Sequence, residues 1–274
     1  MAYATTAGGF PSSVTARPRL AALQRALMWL AGASSAIVFI EPSPYELVTL
    51  VAAVIFVATG LRLRLVFMPL VLLLFLVNIG YSIGAASLMD KTAVVNWIAT
   101  SWYMAFTVIF LAMVLAEDTA ARLDMLRRGL IVGALIAASA GIAGYFKLVP
   151  GGRDLLTLYD RARGTFKDPN VLAAFLILPA LFALQSVVSD RFAKSFRSTI
   201  ALGIIALGIL LAFSRAAWGG LVLTAAFMLA LMVLTSPSRA QRSRIIVMSV
   251  VAVVVAAMLV AVLLSFDSIN DLFR

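Results

Sequence analysis

The chain has 274 residues, 63% of them hydrophobic and only 12% charged, an apolar share far above that of a soluble domain, so it reads as a polytopic membrane protein. Its formal charge of +10 comes from 22 Lys and Arg against 12 Asp and Glu, scattered between apolar runs with no nucleic-acid-binding motif, which points to topology and anionic headgroups and away from nucleic acid. The absence of cysteine and histidine excludes disulfides, thiolate nucleophiles, the commonest transition-metal ligands and the commonest general base within these residues.

Residues 1–19 are small and polar, ending in Arg17 and Arg19, and read as a disordered cytoplasmic tail. A single all-α transmembrane helical domain is predicted over 20–274, with about nine spans. The first runs from Leu20 to Ile40. Ala31-Gly32-Ala33 has the form of a cleavage site, but Gln24 and Arg25 interrupt the apolar core a signal peptide needs, so an uncleaved helix is favoured. Glu41-Pro42-Ser43-Pro44-Tyr45-Glu46 then makes a compact turn, since two prolines and the residues before them cannot continue a helix.

The second span, Leu47 to Leu61, is short for the roughly 20 residues of a crossing and borrows flanking side chains. Arg62 and Arg64 close it. The third, Leu65 to Ser87, carries Asn78 and Tyr81, which are read with Asn96 as interhelical hydrogen-bonding residues. Asp90 and Lys91 mark an outer turn. In the fourth, Ala93 to Ala116, the residues Trp97, Trp102 and Tyr103 form an interfacial aromatic belt. Glu117 to Arg128 reads as a mixed-charge inner loop. The fifth span, Gly129 to Val149, places Gly133, Ala137, Gly141 and Gly144 where they let a neighbouring helix approach closely.

Residues 150–170, PGGRDLLTLYDRARGTFKDPN, interrupt the apolar pattern with an outer basic segment. The sixth span follows from Val171 to Val188. The seventh, Thr199 to Phe213, and the eighth, Ala216 to Leu234, are joined only by Ser214-Arg215, and the ninth is Ile245 to Leu264. On this parse fourteen of the 22 cations lie on the inner side, and five of the remaining eight fall between Lys147 and Lys167. The positive-inside rule then sets a cytoplasmic N-terminus and an external C-terminus, and the basic segment is its one concentrated exception.

That exception has the form of an anion site. Asp168-Pro169-Asn170 reads as a helix start, with Asp168 at the N-cap and Pro169 at the first helical position. Arg161, Arg163 and Lys167 stand just before its free N–H groups, an arrangement that attracts anions. Ser214-Arg215 repeats it, with Ser214 as the cap and Arg215 in the first turn. A cation there costs a helix about 0.3–1 kcal/mol, so helix stability does not account for Arg215. Either an external anion or snorkelling to headgroups does. Lys147 and Arg153 read as headgroup-facing, Asp154 and Asp160 as neutralising their neighbours, and Tyr159 as an interfacial anchor.

Arg163-Gly164-Thr165-Phe166-Lys167-Asp168-Pro169-Asn170 running into an apolar helix, and Phe213-Ser214-Arg215-Ala216-Ala217-Trp218-Gly219 on the next outer turn, resemble the O-antigen ligase and O-antigen polymerase family. Glu41 to Glu46 is similar to members of it as well. The resemblance implies a bacterial inner-membrane glycosyltransferase that moves a glycan from an undecaprenyl-pyrophosphate carrier to a periplasmic-side acceptor. That acceptor is a lipid A-core in lipopolysaccharide biosynthesis by ligases, or another carrier-linked glycan in a polysaccharide polymerase. It implies catalysis with no metal and no cofactor. Arg163 and Arg215 would neutralise the departing pyrophosphate, with Arg161, Lys167, Asp168, Asn170 and Ser214 in substrate binding. Membrane lipids would be the other partners, and nucleic acid would not be one.

The family usually continues into a large periplasmic loop with a histidine that activates the acceptor. This chain stops where that loop would begin, which implies a partial protein, with Glu41 or Asp160 left as the acidic groups available for a base. Two other classes compete: a transporter or flippase for an anionic lipid-linked substrate, and a noncatalytic membrane subunit. Transporter folds place internal repeats and charges at the bilayer midplane, whereas here the charges sit at span ends.

Overall fold

The computed structural model describes residues 18–85, 91–189 and 192–264. The expected tail lies outside them apart from Pro18 and Arg19, as do Asp90, Arg191 and the final SFDSINDLFR. The described residues are all-α except for one minute hairpin. Ten helices follow in order: α1 (Pro18–Ser34), α2 (Pro44–Ala58), α3 (Met68–Ala85), α4 (Lys91–Glu117), α5 (Thr119–Tyr145), α6 (Gly152–Leu156), α7 (Pro169–Ser189), α8 (Phe192–Leu211), α9 (Arg215–Thr235) and α10 (Arg239–Leu264). Between α6 and α7 the strands β1 (Thr157–Leu158) and β2 (Arg161–Ala162) pair antiparallel.

The expected nine spans are not all present. Among the described residues, five helical stretches are long and apolar enough to cross a bilayer: Leu65–Ala85, Thr92–Glu117, Thr119–Tyr145, Pro169–Ser189 and Arg215–Thr235. They make the chain a multi-pass membrane protein. The shortfall has physical causes. The first span ends at Ser34, six residues before Ile40, because the chain turns there and Val38 pairs with Thr165. α2 has 15 residues, which at 1.5 Å per residue reach about 22 Å against a hydrocarbon core of about 30 Å. The apolar part of α8 covers only Ser195–Leu211. The expected ninth span coincides with α10, whose side chains beyond 254 lie outside the described residues.

A second correction concerns Glu117 to Arg128, which is helical apart from a break at Asp118. Alanine, leucine, methionine and arginine are strong helix formers, and the Asp118 carboxylate accepts from the Ala121 N–H at 3.3 Å, so the helix restarts at once. α5 therefore extends over 27 residues.

The chain divides into two compact units, one made of residues up to Met28 with Thr49–Met125, the other of Trp29–Val48 with Leu126 onward. In the first, Phe56 of α2 meets Phe110 of α4 edge to face at 5.9 Å, and the Arg122 guanidinium lies over the Phe56 ring at 5.0 Å. Phe75 of α3 meets Trp102 of α4 at 5.6 Å. The second unit holds the main core, in which Ala134, Ala137 and Ala138 of α5, Leu172, Ala173, Leu176 and Ala180 of α7, and Ile205 and Ile209 of α8 are buried together.

The small residues of α5 admit close approach, by a helix at Gly133 as the sequence suggests but by the hairpin segment at Gly141. Gly129 and Gly133 lie against the backbone of Trp29 and Ala33, while Gly141 and Gly144 receive Ala162 and Leu156 from the basic segment. Dispersion between backbones at this range replaces the hydrophobic drive that is missing between helices in lipid. The same helix thus seats both α1 and the hairpin.

Candidate anion-binding site

The basic segment is folded, and its fold follows from local rules. Gly151 takes a left-handed conformation and starts α6. Tyr159 and Asp160, both with positive φ, form the two-residue turn of the β1–β2 hairpin, the geometry whose twist suits adjacent antiparallel strands. Asp160 is ion-paired with Arg153, and Tyr159 is exposed. Gly164, at φ 54°, then passes directly over the Ala137 carbonyl of α5, leaving no room for a Cβ.

From this frame the candidate cations take separate partners. Arg161 donates from Nε to the Ala212 carbonyl at 2.8 Å and from Nη2 to Asn170 Oδ1 at 2.7 Å. Arg163 turns back onto α6, donating to the carbonyls of Leu155 at 3.2 Å and Asp154 at 3.3 Å. Lys167 is ion-paired with Glu41. Arg215 is exposed in the first turn of α9 and has no hydrogen-bond or ion-pair partner among the described residues.

The two expected helix starts are both found, with different chemistry at each. Asp168 accepts from the Asn170 N–H at 2.7 Å and its own carbonyl accepts from Leu172, so it is the N-cap of α7, with Pro169 buried at the first position. Ser214 holds the N-cap position of α9, and its carbonyl accepts from Trp218 at 3.0 Å, but its hydroxyl makes no capping bond. Phe213, at φ 47°, makes the sharp turn before it. Trp218 braces that turn by donating from Nε1 to the Ile209 carbonyl at 3.1 Å.

Arg161 brings these starts together, since one guanidinium holds both Asn170 in the first turn of α7 and Ala212 just ahead of α9. Arg163 and Arg215 share no hydrogen-bond partner. Sequence reasoning gave Arg161 the smaller role and missed its acceptor altogether. A main-chain carbonyl 51 residues away leaves no side-chain signature.

It also missed how the 35–43 stretch is used. Val38 donates its N–H to the Thr165 carbonyl at 3.0 Å, the Thr165 hydroxyl donates to the Ala36 carbonyl, and Glu41 reaches Lys167. The turn after α1 is thereby stapled alongside the entry to α7, with the Glu41–Pro42 peptide in the cis form. The prolines at 42 and 44 were the signal for a turn, and nothing in their spacing named its partner. Of the two acidic groups proposed from sequence as a base, Glu41 stands beside Lys167 at the α7 entry, and Asp160 is tied to Arg153 at the hairpin tip.

Chemically, the site offers cationic donors of different availability. Arg161 and Arg163 each spend two N–H bonds internally, out of the five a guanidinium carries. Arg215 spends none on the described residues, and the α9 N–H groups beside it lack a side-chain cap. This suits an acceptor with several oxygens and negative charge. The sequence matches no protein family model, and neither the curated proteins nor the solved structures include a significantly similar one.

Proposed function

We propose that the entry to α7 and the entry to α9 together bind the phosphate groups of a lipid-linked glycan, and that the protein carries the carrier-binding site of a glycan-transfer enzyme resembling the O-antigen ligases and polymerases. The observation that carries this reading is the Arg161 bridge, which fixes two N-terminal helix ends next to each other with an unpaired Arg215 in one of them. An arginine at that position opposes the helix dipole, and a bound anion reverses the sign of its contribution.

In this reading the pyrophosphate of an undecaprenyl-pyrophosphate donor lies between Arg215 and the remaining donors of Arg161 and Arg163. As the glycosyl–oxygen bond breaks, charge accumulates on the leaving diphosphate, and fixed cations in a water-poor site stabilise it there. Lys167 is ion-paired with Glu41, which offsets its charge, so it contributes less than the arginines. In this reading the site faces the periplasm of a bacterial inner membrane, as the positive-inside rule applied to the sequence implies.

The test is transfer from an undecaprenyl-pyrophosphate-linked glycan in proteoliposomes with the intact protein. Arg215→Ala is expected to lower turnover by about 100- to 1,000-fold, the size of a lost transition-state donor, while Arg215→Lys recovers part of it. Unchanged transfer in Arg215→Ala would sink the reading. Movement of the intact donor across the bilayer without cleavage would replace it by a transporter.

A further inference from the structure

Four buried side-chain oxygens among the described residues have no hydrogen-bond partner: Thr49 Oγ1, Asn78 Oδ1, Tyr103 OH and Thr107 Oγ1. All belong to the first unit and lie on α2, α3 and α4, whereas the residues of the anion site belong to the second. Thr49 is 1%, Asn78 3% and Thr107 7% exposed. A buried polar group without a partner is costly, and inside a bilayer no bulk water relieves it.

Helix register places the four within about one helical turn of each other in height. Tyr103 and Thr107 are one turn apart on the same face of α4. Asn78 lies between Phe75 and Ser82 of α3, both of which touch Trp102, the first by ring contact and the second by accepting its indole N–H. Asn78 is therefore level with Trp102 and Tyr103. Thr49 precedes Phe56 by the same seven residues that separate Tyr103 from Phe110, and those two rings are in contact. Arg122 touches both Phe56 near the end of α2 and the Val114 carbonyl near the end of α4, so the two helices end on the same side, and Thr49 and Tyr103 each lie about 10 Å before that ring pair.

The chemistry selects the occupant. Asn78 Nδ2 donates to the Leu74 carbonyl at 2.8 Å; a carbonyl can only accept, so the amide orientation is fixed and Oδ1 is left as an acceptor. The other three groups are hydroxyls, which donate or accept. No carboxylate or cation is among the four, so neither a metal ion nor an anion finds a counter-charge. A small neutral molecule that donates to Asn78 and exchanges hydrogen bonds with the hydroxyls fits, with three or so bonds available, as buried water requires.

We infer that Thr49, Asn78, Tyr103 and Thr107 form an internal hydration site between α2, α3 and α4, where bound water links three helices of the first unit. Such a site turns separate desolvation costs into one shared network. It also explains an asparagine whose amide bonds its own helix instead of a neighbour.

The test uses the full chain in lipid nanodiscs with the near-isosteric variants Thr49→Val, Tyr103→Phe and Thr107→Val. Bound water predicts a lower unfolding midpoint for each, by about 2–4 °C, the shift that roughly 1 kcal/mol produces in a chain of this class, and pairs that fall short of additivity. Midpoints that rise or stay constant overturn the proposal, because a dry site gains from losing an unpaired hydroxyl. If a variant fails to insert, a wild-type structure at water-resolving quality decides. Density within about 3 Å of Asn78 Oδ1 and at least one of the hydroxyls supports the site; empty density, or a protein side chain or lipid atom in that place, overturns it.

Discussion

The Arg161 guanidinium donates to the Ala212 carbonyl at 2.8 Å across 51 residues of sequence, and its other end holds Asn170. A side chain from a two-residue strand thereby sets the spacing between the starts of α7 and α9. Hydrogen bonds from a charged donor contribute about 1.5–3 kcal/mol. Arg161→Ala should lower stability by about that amount and loosen the α8–α9 turn, with faster amide exchange at residues 212–216 as the local signature. Arg161→Lys keeps the charge but cannot reach two acceptors in a fixed fork. It should recover little of either property.

Gly164 has the most constrained backbone in the basic segment, because its φ is positive and a Cβ would run into the Ala137 carbonyl. Gly164→Ala should cost about 1–3 kcal/mol through strain and displacement together. Gly151 also has positive φ but faces open space, so Gly151→Ala should cost distinctly less. Thermal unfolding of the two variants side by side checks this order.

The caps give a paired comparison. Asp168→Ala removes an observed capping bond and should destabilise α7 by about 0.5–2 kcal/mol. Asp168→Asn keeps an acceptor oxygen in place and should retain most of that. Ser214→Ala should cost less than Asp168→Ala, because the Ser214 hydroxyl does not cap α9. Equal losses at 168 and 214 would contradict the geometry.

These contrasts show where the sequence was legible. Helix α7 was readable at its start because Asp168 and Pro169 act through local backbone geometry, and Gly133, Gly141 and Gly144 announced close approach because small residues in a span have few other uses. The length of α1 was not readable, since residues 35–41 leave the helix to bond Thr165 and Lys167, more than 120 positions away. Glu117 to Arg128 was misread as a loop because charge was taken as a boundary where helix propensity prevailed. In the site itself, residue types identified the cations, but Arg161, Arg163 and Lys167 differ only in their partners. Three of those partners, at Ala212, Leu155 and Asp154, are main-chain carbonyls, which carry no sequence signal.

The Glu41–Lys167 ion pair lies at the surface, with side chains 76% and 50% exposed. Such pairs contribute about 0–1 kcal/mol and weaken with salt. A double-mutant cycle of Glu41→Gln and Lys167→Met should give a coupling energy under about 1 kcal/mol that shrinks further at high ionic strength. The loop holding Glu41 should stay in place in both single variants, because the Val38 and Thr165 hydrogen bonds remain.

Arg163 and Arg215 separate stability from anion binding. Arg163 is bonded to two carbonyls of the short α6, so Arg163→Ala should both destabilise the basic segment and impair any phosphate-dependent activity. Arg215 has no internal bond among the described residues and opposes the α9 dipole. Arg215→Ala should therefore leave the unfolding midpoint unchanged, or raise stability by about 0.3–1 kcal/mol, while weakening pyrophosphate binding measured by titration calorimetry. Removing Arg215 relieves the folded protein of an unfavourable charge and deprives a bound diphosphate of a donor, so the two readouts move in opposite directions. A fall in stability with unchanged pyrophosphate affinity would show that Arg215 serves the fold or the lipid headgroups instead.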